Sequence, residues 1–268
     1  WLGVYILVNL TSILWLGALA MSTVAGVDLT TGLVFLGMFA LAYSLYGGLR
    51  AVALTDIIQV ILLVMGGVMI SWILLDRISG GGGPLAGFLS LSEQAPDKFH
   101  MILGRDHPHY ASLPGLSVLL GGLWVMNLSY WGFNQYIIQR ALAAKSVVEA
   151  QKGIAFAAFL KLLMPLIVVL PGIAMAVLSP DLSSPDQAYP SAMILLPMGI
   201  KGLVFAALLA AIVSSLASMC NSISTIFTMD IAPTLGLRSD DGALQVRIGR
   251  RVAVIAMLIA MLTARPLL

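Results

Sequence analysis

Hydroxyl and small side chains form one stripe along a long apolar segment in the second half of the chain. At helical steps of three or four residues, the stripe contains Ala207, Ala211, Ser214, Ser218, Ser222 and Thr225. Adjacent hydroxyls and exposed backbone carbonyls are hard oxygen ligands, which suit a cation such as sodium. Small residues also let a second helix approach closely, so a helix-packing seam is the alternative interpretation.

A polar and aromatic patch occupies another apolar segment. Asn127, Tyr130 and Asn134 fall at i, i+3 and i+7, with Trp131 beside them. Sugar binding uses such a set, because a ring covers the apolar face of a pyranose while an amide exchanges hydrogen bonds with its hydroxyls. Hydrogen bonding between helices is the alternative. The glycines that flank this patch would permit a break in the helix: Gly121, Gly122 and Gly132.

Two ionisable side chains lie within apolar segments, where charge is costly and marks a pathway by default. Lys161 is about 8 residues into its segment, or ~12 Å along a helix. Its ammonium carries three N–H donors, which suit a hydroxyl-rich ligand, but it could instead snorkel to the headgroups. Asp56 begins a further segment, LTDIIQV, where stabilising a helix N-terminus is its ordinary role.

Composition defines the elements that must position these residues. Hydrophobic residues make up 60% of the chain and charged residues 10%, whereas soluble domains carry about 25% charge. Apolar segments of bilayer-spanning length lie near 1–25, 30–47, 52–75, 113–138, 153–178, 198–228 and 247–268. Only helices satisfy their backbone within such a segment in lipid, so we predict an all-α polytopic membrane protein with about seven transmembrane helices.

Charge distribution orients the chain and narrows the classes of function. The net charge of +2 does not argue for a nucleic-acid partner. The positive-inside rule places the loops after the second, fourth and sixth segments in the cytoplasm, since they hold Arg50, Arg140, Lys145, Lys152, Arg238, Arg247, Arg250 and Arg251.

The loop after the third segment contains His107 and His109. A metal site at these two histidines is an alternative to an ordinary polar outside loop with a short interfacial helix. No phosphate-binding loop or catalytic triad pattern occurs, so we expect no enzyme. Because residue 1 is Trp and enters a span directly, we expect a fragment of a longer transporter.

Three long blocks of sequence carry a family resemblance. They are YGGLRAVALTDIIQV (46–60), YWGFNQYIIQRALAAKS (130–146) and LPMGIKGLVFAALLAAIVSSLASMCNSISTIFTMDI (196–231). These blocks resemble the sodium/solute symporter family in its sodium–glucose branch, and bacterial sodium/galactose symporters most of all. The resemblance implies a LeuT-type core of ten helices in two inverted repeats. Residues 1–268 would then be a single transmembrane symporter domain comprising core helices three to nine.

The resemblance also implies a sodium site. The family's second sodium site falls on Ala211, Ser214 and Ser215, with a backbone carbonyl from the first and hydroxyl oxygens from the other two. Asp56 matches a carboxylate near the sodium exit route. Sodium would therefore be the co-transported ion, and no other cofactor is implied.

The same comparison implies sugar contacts. Asn127 and Lys161 match ligands of sugar hydroxyls, and Tyr130 matches the aromatic that closes the sugar pocket toward the cytoplasm, with Trp131 beside it. Ser129 departs from the pattern, because the galactose symporters have tyrosine there.

The resemblance implies sodium-coupled symport of a sugar such as galactose or glucose across a bacterial inner membrane. A symporter-like solute sensor is one alternative. Symport of inositol, a carboxylate or an amino acid is another. The expected partners are the sugar, sodium and the lipid bilayer, with a homodimer left open.

Overall fold

Helices account for all the regular structure of the described chain. A computed structural model describes residues 2–100, 102–108, 110–111, 115–237 and 241–267, without the side chains at 48–52, 266 and 267. In these ranges α1 to α10 are, in order, Leu2–Ala25, Leu29–Gly47, Ala53–Ile78, Pro84–Gln94, Gly115–Phe133, Gln135–Leu142, Val147–Leu178, Ala188–Ile194, Met198–Ile231 and Gly242–Leu267. The predicted all-α class is confirmed.

Six helices of the described ranges are long and apolar enough to cross a membrane: α1, α2, α3, α5, α7 and α9. They correspond to the first six predicted segments. The fifth begins at Val147 rather than near residue 153, because the Ser146 hydroxyl caps its first turn by accepting a bond from the Glu149 N–H at 3.3 Å. The seventh predicted segment lies in α10, which is helical from Gly242 but is not among the six. Four arginines interrupt its apolar sequence: Arg247, Arg250, Arg251 and Arg265.

The chain reverses direction between α2 and α3. The backbone is locally helical over Leu29–Ile78, yet the hydroxyls of Tyr43 and Thr55 are hydrogen-bonded to each other. Along a straight helix, residues 12 positions apart would be separated by ~18 Å. The backbone must therefore fold back between them, as two consecutive membrane spans require.

The chain forms two compact units, and the first comprises Trp1–Gly66 with Ser183–Leu268. Here α1 packs against α9 and α10. Glycine allows the closest approaches of α2 and α3 to neighbouring helices: a Cβ on Gly37 would lie 2.7 Å from the Met261 sulfur, and one on Gly66 would lie 2.6 Å from a Val204 methyl. Fully buried side chains fill the core of this unit: Leu10, Leu14, Leu36, Leu216, Met219, Ile223 and Met257.

The second unit, Gly67–Leu182, contains the segment predicted to lie outside the membrane. The predicted short helix is α4, which packs so closely on the end of α3 that a Cβ on Gly87 would lie 1.9 Å from the Leu75 carbonyl oxygen. The Asp76 carboxylate holds the intervening turn by accepting a bond from the Gly83 N–H at 3.0 Å. Of the suggested metal ligands, His109 lies outside the described residues, and the described part of the chain contains no group of three metal-ligating side chains.

The two glycine contacts of the first unit differ in the partner side chain. Val204 is β-branched and stiff, whereas Met261 is flexible. We therefore expect Gly66→Ala to destabilise the whole protein by about 1–3 kcal/mol, the scale of overpacking, and Gly37→Ala to cost clearly less. Thermal unfolding in detergent measures both, and Val204→Ala should rescue Gly66→Ala. Equal losses, or a failed rescue, would contradict the close packing of α3 on α9.

Candidate functional site

A carboxylate and a serine hydroxyl meet inside the first unit. The Ser214 hydroxyl on α9 donates to Oδ1 of Asp56 on α3, and Ser214 is only 2% exposed. Ala211 lies about one turn earlier on α9 and Ser215 directly follows, and both are half-buried. The structure thus places Asp56 beside the predicted sodium ligands, a proximity that helical spacing alone did not show.

Oxygen atoms dominate this site. A hydroxyl keeps acceptor lone pairs after it donates, and an ionised carboxylate offers only acceptors. Hard cations such as sodium prefer such oxygens. The chemistry that the group can perform is therefore reversible cation binding.

Part of the hydroxyl stripe packs into the unit. Ser218 and Ser222 are fully buried, whereas Thr225 is exposed and its hydroxyl donates to the Asn221 carbonyl oxygen of its own helix at 2.9 Å. This burial suits the packing-seam interpretation over most of the stripe. Ser214 differs, because a neighbouring helix brings a carboxylate to its hydroxyl.

Four side chains of the second unit form a polar and aromatic cluster. The Lys161 ammonium lies 4.2 Å from the centroid of the Trp131 ring, a cation–π contact. Trp131 meets Tyr130 edge to face, with ring centroids 5.2 Å apart. The hydroxyl of Tyr130 lies 2.7 Å from that of Tyr136. Tyr130 is 39% and Trp131 43% exposed, so both rings keep free surface.

Asn127 lies just before this cluster on α5, and its amide is partly engaged. Nδ2 donates to the Leu123 carbonyl oxygen at 2.8 Å, one turn back along its own helix. The alternative interpretation, a hydrogen bond between helices, is therefore not the contact that Nδ2 makes. The oxygen of the same amide is a hydrogen-bond acceptor, so Oδ1 can still accept a bond from a hydroxyl ligand.

The helix breaks at Asn134, directly after the cluster residues on α5. Ser129–Phe133 is π-helical, and Asn134 is extended, with φ −81° and ψ 112°. The Asn134 carbonyl accepts bonds from the N–H groups of Ile137 and Ile138, both at 3.0 Å, and so starts α6. Gly132 thus flanks a real break in the helix. Asn134 does not continue the polar face formed by Asn127 and Tyr130. The predicted span, which ran to residue 138, is too long.

A second break lies directly after Lys161. The α-helix that starts at Val147 ends at Lys161, and Pro165–Val169 is π-helical. Proline lacks an N–H, so Pro165 cannot bond to the Lys161 carbonyl four residues earlier. The Ser71 hydroxyl donates to the nearby Leu166 carbonyl oxygen at 2.6 Å.

Lys161 lies farther from the start of its helix than the sequence predicts. Because α7 starts at Val147, Lys161 is ~21 Å along the helix rather than ~12 Å. Its ammonium contacts the Trp131 ring.

Sequence reasoning missed Tyr136. On an unbroken helix, six residues correspond to ~600° of rotation, which would direct Tyr136 well away from Tyr130. The break at Asn134 changes that relation and brings the two hydroxyls together. The only available signal was the glycine-flanked patch.

Repeated apolar helices with breaks beside polar side chains define a multi-pass membrane protein with the architecture of secondary transporters. Comparison with known proteins gives the family. The chain belongs to the sodium:solute symporter family, whose model matches residues 2–267. The predicted family is thereby confirmed.

Individual relatives agree with this family. The chain is 53% identical to the sodium/glucose cotransporter of Vibrio parahaemolyticus, covering 98% of this chain and 52% of that one. It is 33% identical to the human sodium/myo-inositol cotransporter 2, covering 98% and 42%. An uncharacterized symporter of Escherichia coli, YidK, is 36% identical, with 85% and 40% covered. The chain thus spans about half the length, or less, of these relatives.

A solved structure supports the predicted fold. The substrate-bound, outward-open state of a Na⁺-coupled sialic acid symporter matches with a TM-score of 0.81 and 25% identity. The match covers 98% of this chain and 56% of the symporter. This confirms the predicted LeuT-type symporter fold.

The Tyr130–Tyr136 contact gives a testable coupling. Tyr130→Phe and Tyr136→Phe each remove the same hydrogen bond, so each should lower the unfolding free energy of the whole protein by about 0.5–1.5 kcal/mol. The double variant should cost little more than either single one. Denaturant unfolding in micelles measures the cycle. Additive losses would show that the two hydroxyls do not interact.

Proposed function

We propose that this chain forms the central helices of a sodium-coupled symporter that carries a sugar such as galactose or glucose. The observation that carries the proposal is the Lys161 ammonium over the Trp131 ring, beside Tyr130. Aromatic surface and hydrogen-bond donors together fit a pyranose. The 53% identity to a protein named a sodium/glucose cotransporter supports the same substrate class.

In this proposal, Asn127 and Lys161 bind sugar hydroxyls. The amide oxygen of Asn127 accepts, and the ammonium of Lys161 donates. The rings of Tyr130 and Trp131 cover the apolar face of the sugar, and Tyr130 closes the route toward the cytoplasm.

Sodium binds at Ala211, Ser214 and Ser215 in this proposal. The Asp56 carboxylate, which already contacts Ser214, attracts the ion and receives it on its way out. Sodium favours the outward-open state and raises sugar affinity through a coupling free energy between the two sites. Transport follows from differential binding to two states, with no covalent step and therefore no enzyme activity.

The remaining parts of the proposal concern the domain organisation and the cellular location of the protein. Residues 1–268 form one transmembrane symporter domain corresponding to core helices three to nine, set in the lipid of a bacterial inner membrane. A homodimer is an open alternative to a monomer, and cross-linking in membranes distinguishes the two.

Inositol is a second candidate substrate. It is favoured by the 33% identity to a protein named a sodium/myo-inositol cotransporter. Ligands for ring hydroxyls do not separate inositol from a hexose, so the substrate must be tested directly.

The function is tested by uptake into proteoliposomes containing the whole protein. An inward sodium gradient should drive uptake of labelled galactose or glucose, and an equal potassium gradient should not. Myo-inositol is tested in parallel. Uptake that ignores the sodium gradient for every solute would overturn the symport proposal in favour of a sensor.

Ser215 provides a test of the ion site. Ser215→Ala removes one oxygen ligand, so we expect half-maximal uptake to require several-fold more sodium while the protein still inserts. Ser222→Ala is a matched control, because it removes a buried hydroxyl from the same helix at a position outside the proposed ligand set. If the sodium dependence is unchanged in Ser215→Ala, the residue belongs to the packing seam.

Lys161 provides a test of the sugar site. Lys161→Ala should weaken sugar binding at saturating sodium by about 1.5–3 kcal/mol, the scale of a hydrogen bond to a charged group. Lys152→Ala is the control, because Lys152 is on the same helix and its ammonium pairs with Glu149 at 3.0 Å. Unaltered affinity in Lys161→Ala, with lower expression, would indicate a snorkelling lysine.

A further inference from the structure

A small polar cavity lies between α2, α9 and α10 of the first unit. Its volume is about 240 Å³. Polar side chains from all three helices line it: Ser44, Asn221, Ser224 and Arg250. It is separate from Asp56, Ala211, Ser214 and Ser215, none of which lines it.

The residues that line the cavity favour the binding of a negatively charged ligand. It contains an arginine, an amide and two hydroxyls, but no carboxylate. Among the described residues, Arg250 makes no ion pair or hydrogen bond. A guanidinium without a counter-ion, next to neutral donors, is suited to bind an oxyanion.

The Asn221 amide has hydrogen-bonding capacity left over. The Ser44 hydroxyl donates to its Oδ1 at 3.1 Å, and its buried Nδ2 has no partner. Turning the amide over would pair Nδ2 with Ser44 but leave Oδ1 unmatched. One end is therefore unsatisfied in either orientation, which costs free energy unless a ligand or a shift of the side chain supplies a partner.

Glycine at position 249 determines where the Ser224 hydroxyl lies. A Cβ on Gly249 would be 2.2 Å from Ser224 Oγ, so any larger residue would displace that hydroxyl. The close approach of α10 to α9 thus keeps a donor at the cavity wall.

The size and position of the cavity restrict the kinds of ligand that it can bind. Pockets for drug-sized molecules are typically about 300–1,000 Å³, so a cavity of about 240 Å³ suits a compact group. Ser44 is less than one turn from the end of α2 at Gly47, and the positive-inside rule places this end of the helices at the cytoplasmic surface. Basic pockets between helices on that side bind anionic headgroups.

We propose that this cavity binds a phosphate-type oxyanion, with Arg250 supplying the charge, the Asn221 amide and the Ser224 hydroxyl donating hydrogen bonds, and Ser44 orienting that amide through its own bond to Oδ1. The phosphate can come from the headgroup of an anionic lipid or from free phosphate in the cytoplasm. The ligand would join α2, α9 and α10 at their cytoplasmic ends and so stabilise the first unit.

The test compares ligand-induced thermal stabilisation of the whole, delipidated protein in detergent. Phosphatidylglycerol, phosphatidylcholine and inorganic phosphate are added separately. We expect phosphatidylglycerol to raise the melting temperature more than phosphatidylcholine does. Arg250→Gln should lose at least half of that extra rise, and Arg251→Gln, which removes the neighbouring charge outside the cavity, should keep it.

Asn221→Leu removes the amide but leaves every charge on α10, so it tests the cavity even if Arg250→Gln folds poorly. It too should lose at least half of the extra rise. If inorganic phosphate alone gives the response that depends on Arg250, the ligand is a soluble anion. If Arg250→Gln and Arg251→Gln respond alike to all three additions, or Asn221→Leu keeps the full response, the site does not exist.

Discussion

The backbone of a membrane span must satisfy its own hydrogen bonds, and this constraint governs the rest of the molecule. It makes every span helical and makes each interruption costly. The two interruptions in the second unit survive because other groups replace part of the missing bonding. The Asn134 carbonyl accepts two N–H groups from the start of α6, and the Ser71 hydroxyl reaches the Leu166 carbonyl. Both interruptions adjoin the polar and aromatic cluster, so its side chains lie where the backbone is already irregular.

Burial is distributed unevenly between the spans. Half of the most apolar stretch of α9 is buried within the chain, against 11% for α7 and none for α5. The proposed cation site therefore has a packed wall, whereas the polar and aromatic cluster of the second unit has open faces. Glycines explain part of the difference, because close contacts at Gly37 and Gly66 bring helices together in the first unit, while nothing lies within 4 Å of a Cβ on Gly121 or Gly132.

The sequence predicted those features that depend on local composition and period. Apolar length gave the six spans, and a three-to-four-residue period placed Ala211 and Ser214 on one face. It could not predict contacts that depend on how helices pair or break. The approach of Asp56 to Ser214 needs two helices in register, and the Tyr130–Tyr136 contact needs the break at Asn134. The seventh predicted segment is helical in α10, although its arginines make α10 less apolar than the six other long helices.

The contact between Lys161 and Trp131 bears on how tightly a carrier can hold its cargo. The ammonium is not isolated, because its contact with the ring face is worth about 0.5–2 kcal/mol. A hydroxyl ligand that takes over the ammonium gains about 1.5–3 kcal/mol but gives up some of that earlier contact. The net gain is therefore smaller than that of a hydrogen bond made by an ammonium with no earlier contact. In the proposed symporter, such an exchange would limit how tightly the sugar is held and so ease its release.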